Sequence, residues 1–167
     1  MTEEKKQHDH TKRQSQISLI SKVLVIGFIG GMIWSIFGVF MYYFNFSEVA
    51  PKSFLLRSWL TAEWTSGWLG DFVSIVLASV VSLIAALLYY VLLKKVNSMW
   101  MGIVYGLILW AVIFYLLKPI FSNIPALNEL NNNTIISTIC LFILYGTFVG
   151  YSISYDYHDS KKNNQEA

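Results

Sequence analysis

The side chains with the most chemical potential are four acids, Glu48, Glu63, Asp71 and Glu129, and a tryptophan set, Trp59, Trp64 and Trp68. Paired carboxylates can do general acid–base work or hold a cation, and neighbouring indoles can line a ligand groove. The spacing of these acids matches no ligand pattern, and no histidine lies near them in sequence. Asp71, standing just before an apolar run, reads as a helix cap. His8-Asp9-His10 resembles a metal clip, but it falls in a polar leader and reads as incidental. There is no P-loop, nucleophile elbow or Cys/His cluster, and the single Cys140 allows no intrachain disulfide. The expectation is no catalytic residue, no cofactor and no metal. Glu48, Trp59, Trp64 and Trp68 remain as candidates for an interaction on one face.

The elements that position these residues are four runs without Asp, Glu, Lys, Arg or His, at residues 23–44, 72–93, 99–117 and 135–155. At ~1.5 Å per residue, each is about as long as the ~30 Å hydrocarbon core of a bilayer. Helices apolar on every face cannot all be hidden in a 167-residue globule. The composition, 55% hydrophobic and 13% charged, agrees. The fold class predicted is all-α, a four-transmembrane-helix bundle with a short interfacial helix on the outer face. The first run is too long for a signal-peptide core and ends in Tyr42-Tyr43-Phe44, so it reads as a retained span.

An even number of crossings puts both termini on one side. Lys5, Lys6, Lys12, Arg13, Lys22, Lys94, Lys95, Lys161 and Lys162 fall on that side, against Lys52, Arg57 and Lys118 on the other. The bias predicts cytoplasmic termini in a multi-pass protein of the cell membrane. A net charge of +2 gives no reason to expect a nucleic-acid partner. The tails, 1–22 and 156–167, are polar and read as disordered. The outer loops are 45–71 and 118–134, with Asn45-Phe46-Ser47 and Asn132-Asn133-Thr134 forming N-x-S/T patterns. In the first loop, Leu55, Leu56, Trp59 and Leu60 share one helical arc and predict a helix lying on the leaflet. Ser98 and Thr134 read as caps of the third and fourth helices. The five-residue turn from Lys94 to Ser98 makes the second and third helices antiparallel neighbours.

Each helix carries small residues four apart: Gly27, Gly31 and Ser35; Ser74, Ala78, Ser82 and Ala86; Gly102 and Gly106; Gly146, Gly150 and Ser154. Lipid supplies no hydrophobic drive between helices, so close backbone approach must hold them. The stripes predict a compact bundle or one that dimerises. A shift of 75 residues places Gly27, Gly31, Phe46 and Ser47 on Gly102, Gly106, Phe121 and Ser122, as two hairpins of the same sense would. The hydroxyls of Ser74, Ser79, Ser82, Thr138 and Thr147 are read as bonding to their own helix backbones.

Gly30-Gly31-Met32-Ile33-Trp34-Ser35, followed by Tyr42-Tyr43-Phe44-Asn45-Phe46-Ser47-Glu48 and Pro51, resembles the YqhR family of conserved membrane proteins from spore-forming Gram-positive bacteria. Gly67-Trp68-Leu69-Gly70, Leu117-Lys118-Pro119-Ile120-Phe121 and Tyr145-Gly146 through Gly150-Tyr151-Ser152 carry the same resemblance, which spans residues 17–157. It implies a four-helix protein of the bacterial cell membrane and no assigned activity.

Ion-coupled transport requires an ionisable group at membrane depth, and the four runs hold none. The function expected is therefore non-enzymatic: a structural or partner-binding component whose partners are the bilayer and a second copy or another membrane protein. The alternative is a small oligomeric transport or permeability protein. A third reading is an outer-face enzyme or sensor built on the tryptophan loop with Glu48 or Glu63.

Overall fold

A computed structural model describes residues 3–60, 62–93, 96, 99–121, 125 and 129–166. Five helices account for most of them: α1 (Glu3–Tyr43), α2 (Pro51–Leu55), α3 (Trp68–Leu93), α4 (Met99–Ala111) and α5 (Asn132–Glu166). The spans Ile17–Tyr43, Trp68–Leu93 and Asn132–Ser160 are each long and apolar enough to cross a membrane, and Trp100–Leu116 is a shorter apolar helix. The all-α membrane bundle is as predicted. The tails are not: α1 begins at Glu3 and α5 runs to Glu166. Residues 3–22 and 156–166 contain no Gly or Pro. Once the packed span has nucleated the helix, each further residue adds a hydrogen bond without repeating the nucleation cost.

The helix ends correct two of the three predicted caps. Asp71 lies inside the first turn of α3, which starts three residues earlier at Trp68 behind a 3-10 turn over Glu63–Ser66. Gly70 permits this entry, because a Cβ there would collide with the backbone of Thr65. Thr134 is not the cap of α5. Asn131 is, its Oδ1 accepting the Asn133 N–H at 3.4 Å, while Thr134 Oγ1 accepts the Glu48 N–H at 3.0 Å. Ser98 lies outside the described residues. Helix α4 continues through a wide π turn over Val112–Leu116, closed by Leu117 N–H donating to Val112 O at 2.8 Å. That turn carries buried Phe114, stacked on Trp110 at 5.2 Å and edge-on to Phe54 of α2 at 5.2 Å.

Helix α1 ends at Tyr43, and two residues on Asn45 adopts a left-handed conformation with φ 59°. Phe46 N–H donates to Met41 O at 2.9 Å and Asn45 N–H to Tyr42 O at 3.1 Å, the paired bonds of a Schellman stop. Asn45-Phe46-Ser47 is therefore a helix terminator, with Ser47 Oγ accepting the next turn's Val49 N–H at 3.2 Å. Asn tolerates this backbone and a β-branched residue does not. Asn45→Val is expected to cost about 1–2 kcal/mol, whereas Asn45→Gly should be neutral or mildly stabilising. Thermal melting of the two variants in one detergent checks this.

Helix α1 sits centrally, against α3 on one face and α5 on another, and α4 packs along α5. The small residues make both close seams. A Cβ on Gly27 would stand 2.6 Å from Ala86 Cβ, and one on Gly31 would stand 2.5 Å from Ser82 Cβ. Ser35 continues that stripe and is buried, with Ala78 half-buried on the facing helix. In the second seam Gly102 meets Thr147, Gly106 meets the Phe142 backbone, and Gly146 meets Gly102 and Gly106. Gly150 meets Gly102 and the Tyr89 ring. All of these stripes face helices of the same chain. The two hairpins, α1 with α3 and α4 with α5, place corresponding glycines (27 and 31; 102 and 106) in corresponding roles. Helices α3 and α4 meet through rings: Tyr89 and Tyr105 pack edge-on at 5.0 Å, and Tyr105 OH donates to Ala85 O at 2.5 Å.

The interior hydroxyls bond to their own helix backbones as predicted, with one exception. Ser79, Thr138 and Thr147 donate to the carbonyls four residues back, at 2.7–2.8 Å. Ser74 instead reaches Asp71 O, three back, at 2.7 Å. Ser82 crosses between helices, donating to Gly27 O at 2.6 Å, and Tyr145 OH lies 2.6 Å from its oxygen. Ring-borne polar groups thus join the interior: Trp110 Nε1 donates to Thr138 Oγ1 at 3.1 Å. Each such bond ties two helices in a medium without competing water.

Candidate functional site at the loop end of the bundle

The loop end, opposite the two termini, gathers the charged side chains that approach the spans there. Pro51 starts α2 with its preset φ and rests its ring against Gly38 of α1. The next residue, Lys52, points into the protein. Its side chain is 6% exposed and that of Asp71 8%. Lys52 Nζ lies 3.1 Å from both carboxylate oxygens of Asp71, with hydrogen-bond geometry to Oδ2, and also donates to Ser66 O at 3.2 Å. Oδ1 receives the ammonium's charge but no hydrogen bond. Tyr43 OH donates to Oδ2 at 2.8 Å, and the ammonium lies 5.4 Å and 5.9 Å from the centres of the Tyr42 and Tyr43 rings. Asp71 in the first turn of α3 also meets the positive end of that helix.

This cluster joins α1, α2, the 3-10 turn and α3 at one point. Its chemistry is that of a clamp. The ammonium is enclosed by carboxylate, carbonyl and aromatic faces, and neither charge is open to a substrate. The sequence pattern alone points to Asp71 as a cap and offers no partner for Lys52. The available signal was a lone lysine in the apolar stretch Pro51-Lys52-Ser53-Phe54-Leu55-Leu56, on the same side as an acid opening a span.

The predicted interaction residues divide. Glu48 serves the scaffold: its backbone N–H binds Thr134, and its carboxylate accepts the Asn131 N–H at 3.4 Å, tying the first loop to the start of α5. It also borders a shallow opening of about 400 Å³ with Tyr42, Tyr43, Asn45 and Ser47. Trp59, Trp64 and Trp68 are 70%, 45% and 74% exposed, so these rings do not enclose a groove. With exposed Tyr43, Phe44 and Phe46 they form an aromatic fringe where the spans end, the depth at which indole and phenol rings are stable. The interfacial helix is shorter and earlier than its predicted arc. It stops at Leu55, Leu56 is buried, and Trp59 and Leu60 are exposed on the following turns. The reason is the inward pull on Lys52 and Leu56, which leaves Arg57 N–H bonded five residues back to Lys52 O at 2.9 Å. His8-Asp9-His10 lies in α1 outside the residues whose side chains are described.

Comparison with known proteins places this architecture. The profile described as "Conserved membrane protein YqhR" matches residues 3–167. The "Uncharacterized protein YqhR" of Bacillus subtilis (strain 168) is 43% identical over 148 residues, 89% of this chain and 83% of the relative. No solved structure matches the chain significantly. With the profile matching nearly the whole length and a relative this similar over most of both chains, the chain belongs to the YqhR family.

Proposed function

We propose that the protein is a non-enzymatic component of the bacterial cell membrane, its termini cytoplasmic, which works by holding another membrane component against its outer end. The single observation that carries this reading is the loop-end clamp. Its buried ion pair ties the elements of the cap together, and that cap presents Trp59, Trp64 and Trp68 outward. The excess of Lys and Arg flanking the terminal side supports the orientation. Rigid exposed aromatics are the side chains from which interface hot spots are most often built.

A photo-reactive amino acid placed at position 59 or 64 in living cells tests the reading. A discrete adduct is expected, and it should disappear in a variant whose remaining cap tryptophans are alanine while membrane insertion is unchanged. Labelling of lipid alone at both positions would overturn it. A second reading, a small oligomeric permeability protein, draws on the two glycine-seamed hairpins of the same sense. Purified protein in liposomes should then accelerate solute or ion flux above protein-free vesicles.

A further inference from the structure

At the opposite end, where α1 and α5 leave the apolar region, Lys22 Nζ and Asp156 Oδ1 face each other at 3.8 Å. This separation exceeds a hydrogen bond, and the side chains remain 49% and 25% exposed. An open depression of about 370 Å³ adjoins them, lined by Ser18, Ser21, Lys22, Val25, Ile26 and Asp156. The other α1 members fall three, four, seven and eight residues after Ser18, so they share one helix face. Along that face the chemistry changes within two turns. Ser18, Ser21 and Lys22 lie at the polar end, and exposed Val25 with half-buried Ile26 lies inside the apolar run that begins at Val23. The depression therefore straddles the boundary between water and hydrocarbon.

A soluble anion would use the ammonium and hydroxyls but leave Val25 and Ile26 unmatched. A bare acyl chain would do the reverse. A phospholipid matches both halves, and the acid selects among headgroups. Asp156 opposes a purely anionic headgroup, whereas a primary ammonium can donate hydrogen bonds to it. We propose that the α1–α5 depression binds a phospholipid whose headgroup carries a primary ammonium beside its phosphate. Lys22 and the serine hydroxyls take the phosphate, Asp156 takes the ammonium, and an acyl chain runs along Val25 and Ile26. The loose ion pair opens to admit the two headgroup charges, each charge exchanging one partner for another.

The test uses the full chain in nanodiscs containing equal phosphatidylethanolamine, phosphatidylglycerol and phosphatidylcholine, released for native mass spectrometry of retained lipid. Phosphatidylethanolamine should exceed each of the others about fivefold, the scale of one charge contact at a membrane surface. Asp156→Asn should abolish the preference over phosphatidylglycerol, and Lys22→Met should lower retention of all three. Both side chains are partly exposed, so melting temperatures near that of the parent verify that the variants are folded. Equal retention of the three lipids by the parent, or unchanged retention by both variants, would overturn the proposal. So would displacement of the lipid by excess glycerophosphoethanolamine, which lacks the acyl chains.

Discussion

Asp71→Ala is expected to lower the free energy of unfolding by about 3–5 kcal/mol, the range for removing one partner of a buried ion pair. The cost arises from what remains. Lys52 keeps its place beneath the Tyr42 and Tyr43 rings, with Ser66 O as its surviving hydrogen-bond acceptor. Tyr43 OH loses the acceptor it holds at 2.8 Å. Lys52→Ala should cost a similar amount by leaving the carboxylate buried, although its position in the first turn of α3 softens the penalty slightly. The combined variant Lys52→Met, Asp71→Leu supplies apolar volume in place of both charges and should recover most of the loss, since such replacements are often neutral. Denaturant titration in a fixed mild detergent measures all four proteins. Single variants as stable as the parent would show that the pair is wet, and a double variant as poor as the singles would show that shape rather than charge is decisive.

What could be read from the chain beforehand depended on the range of the interaction involved. Length and absence of charge located the spans, because a bilayer acts on each helix independently of its neighbours. The glycine stripes were visible for the same reason: four-residue spacing is a property of one helix. Which helix each stripe faced was not visible. Gly27 and Gly31 meet α3, while Gly30 faces Phe148 and Val149 of α5, and no spacing rule separates these adjacent positions by partner. The candidate site failed at the longest range. Lys52 and Asp71 stand 19 residues apart on different elements, and their meeting depends on Pro51 directing a short helix inward and on Gly70 admitting the preceding turn. The nearest neighbours of Asp71 in sequence suggest a cap, whereas its partners in space are Lys52 and Tyr43. Thr134 failed likewise: its hydroxyl faces Glu48, 86 residues away. The tail helices erred in the other direction, because composition alone undervalued continuation from an anchored span.

Gly146→Leu is expected to be the most damaging single change in the membrane region. A Cβ at this position would meet the Gly102 carbonyl and stand 2.5 Å from Gly106 N and 2.6 Å from Gly106 Cα. All of these are backbone atoms, so no rotamer change can relieve the contact. Helices α4 and α5 must move apart, and lipid offers no hydrophobic return for closing the gap elsewhere. The expected loss is about 3 kcal/mol or more, at or above the upper end for overpacking. Gly146→Ala should already show most of it, because the first carbon is the one that collides. Gly67→Ala provides the matched comparison: its nearest neighbour would be Trp64 O at 3.7 Å, ordinary contact, and little change is expected. Resistance to SDS-induced unfolding, followed by near-ultraviolet circular dichroism of the tryptophans and tyrosines, separates the three. If Gly146→Ala matched Gly67→Ala and only leucine were damaging, the seam would have room for a methyl group, and the close approach of α4 to α5 would not be what holds the second hairpin together.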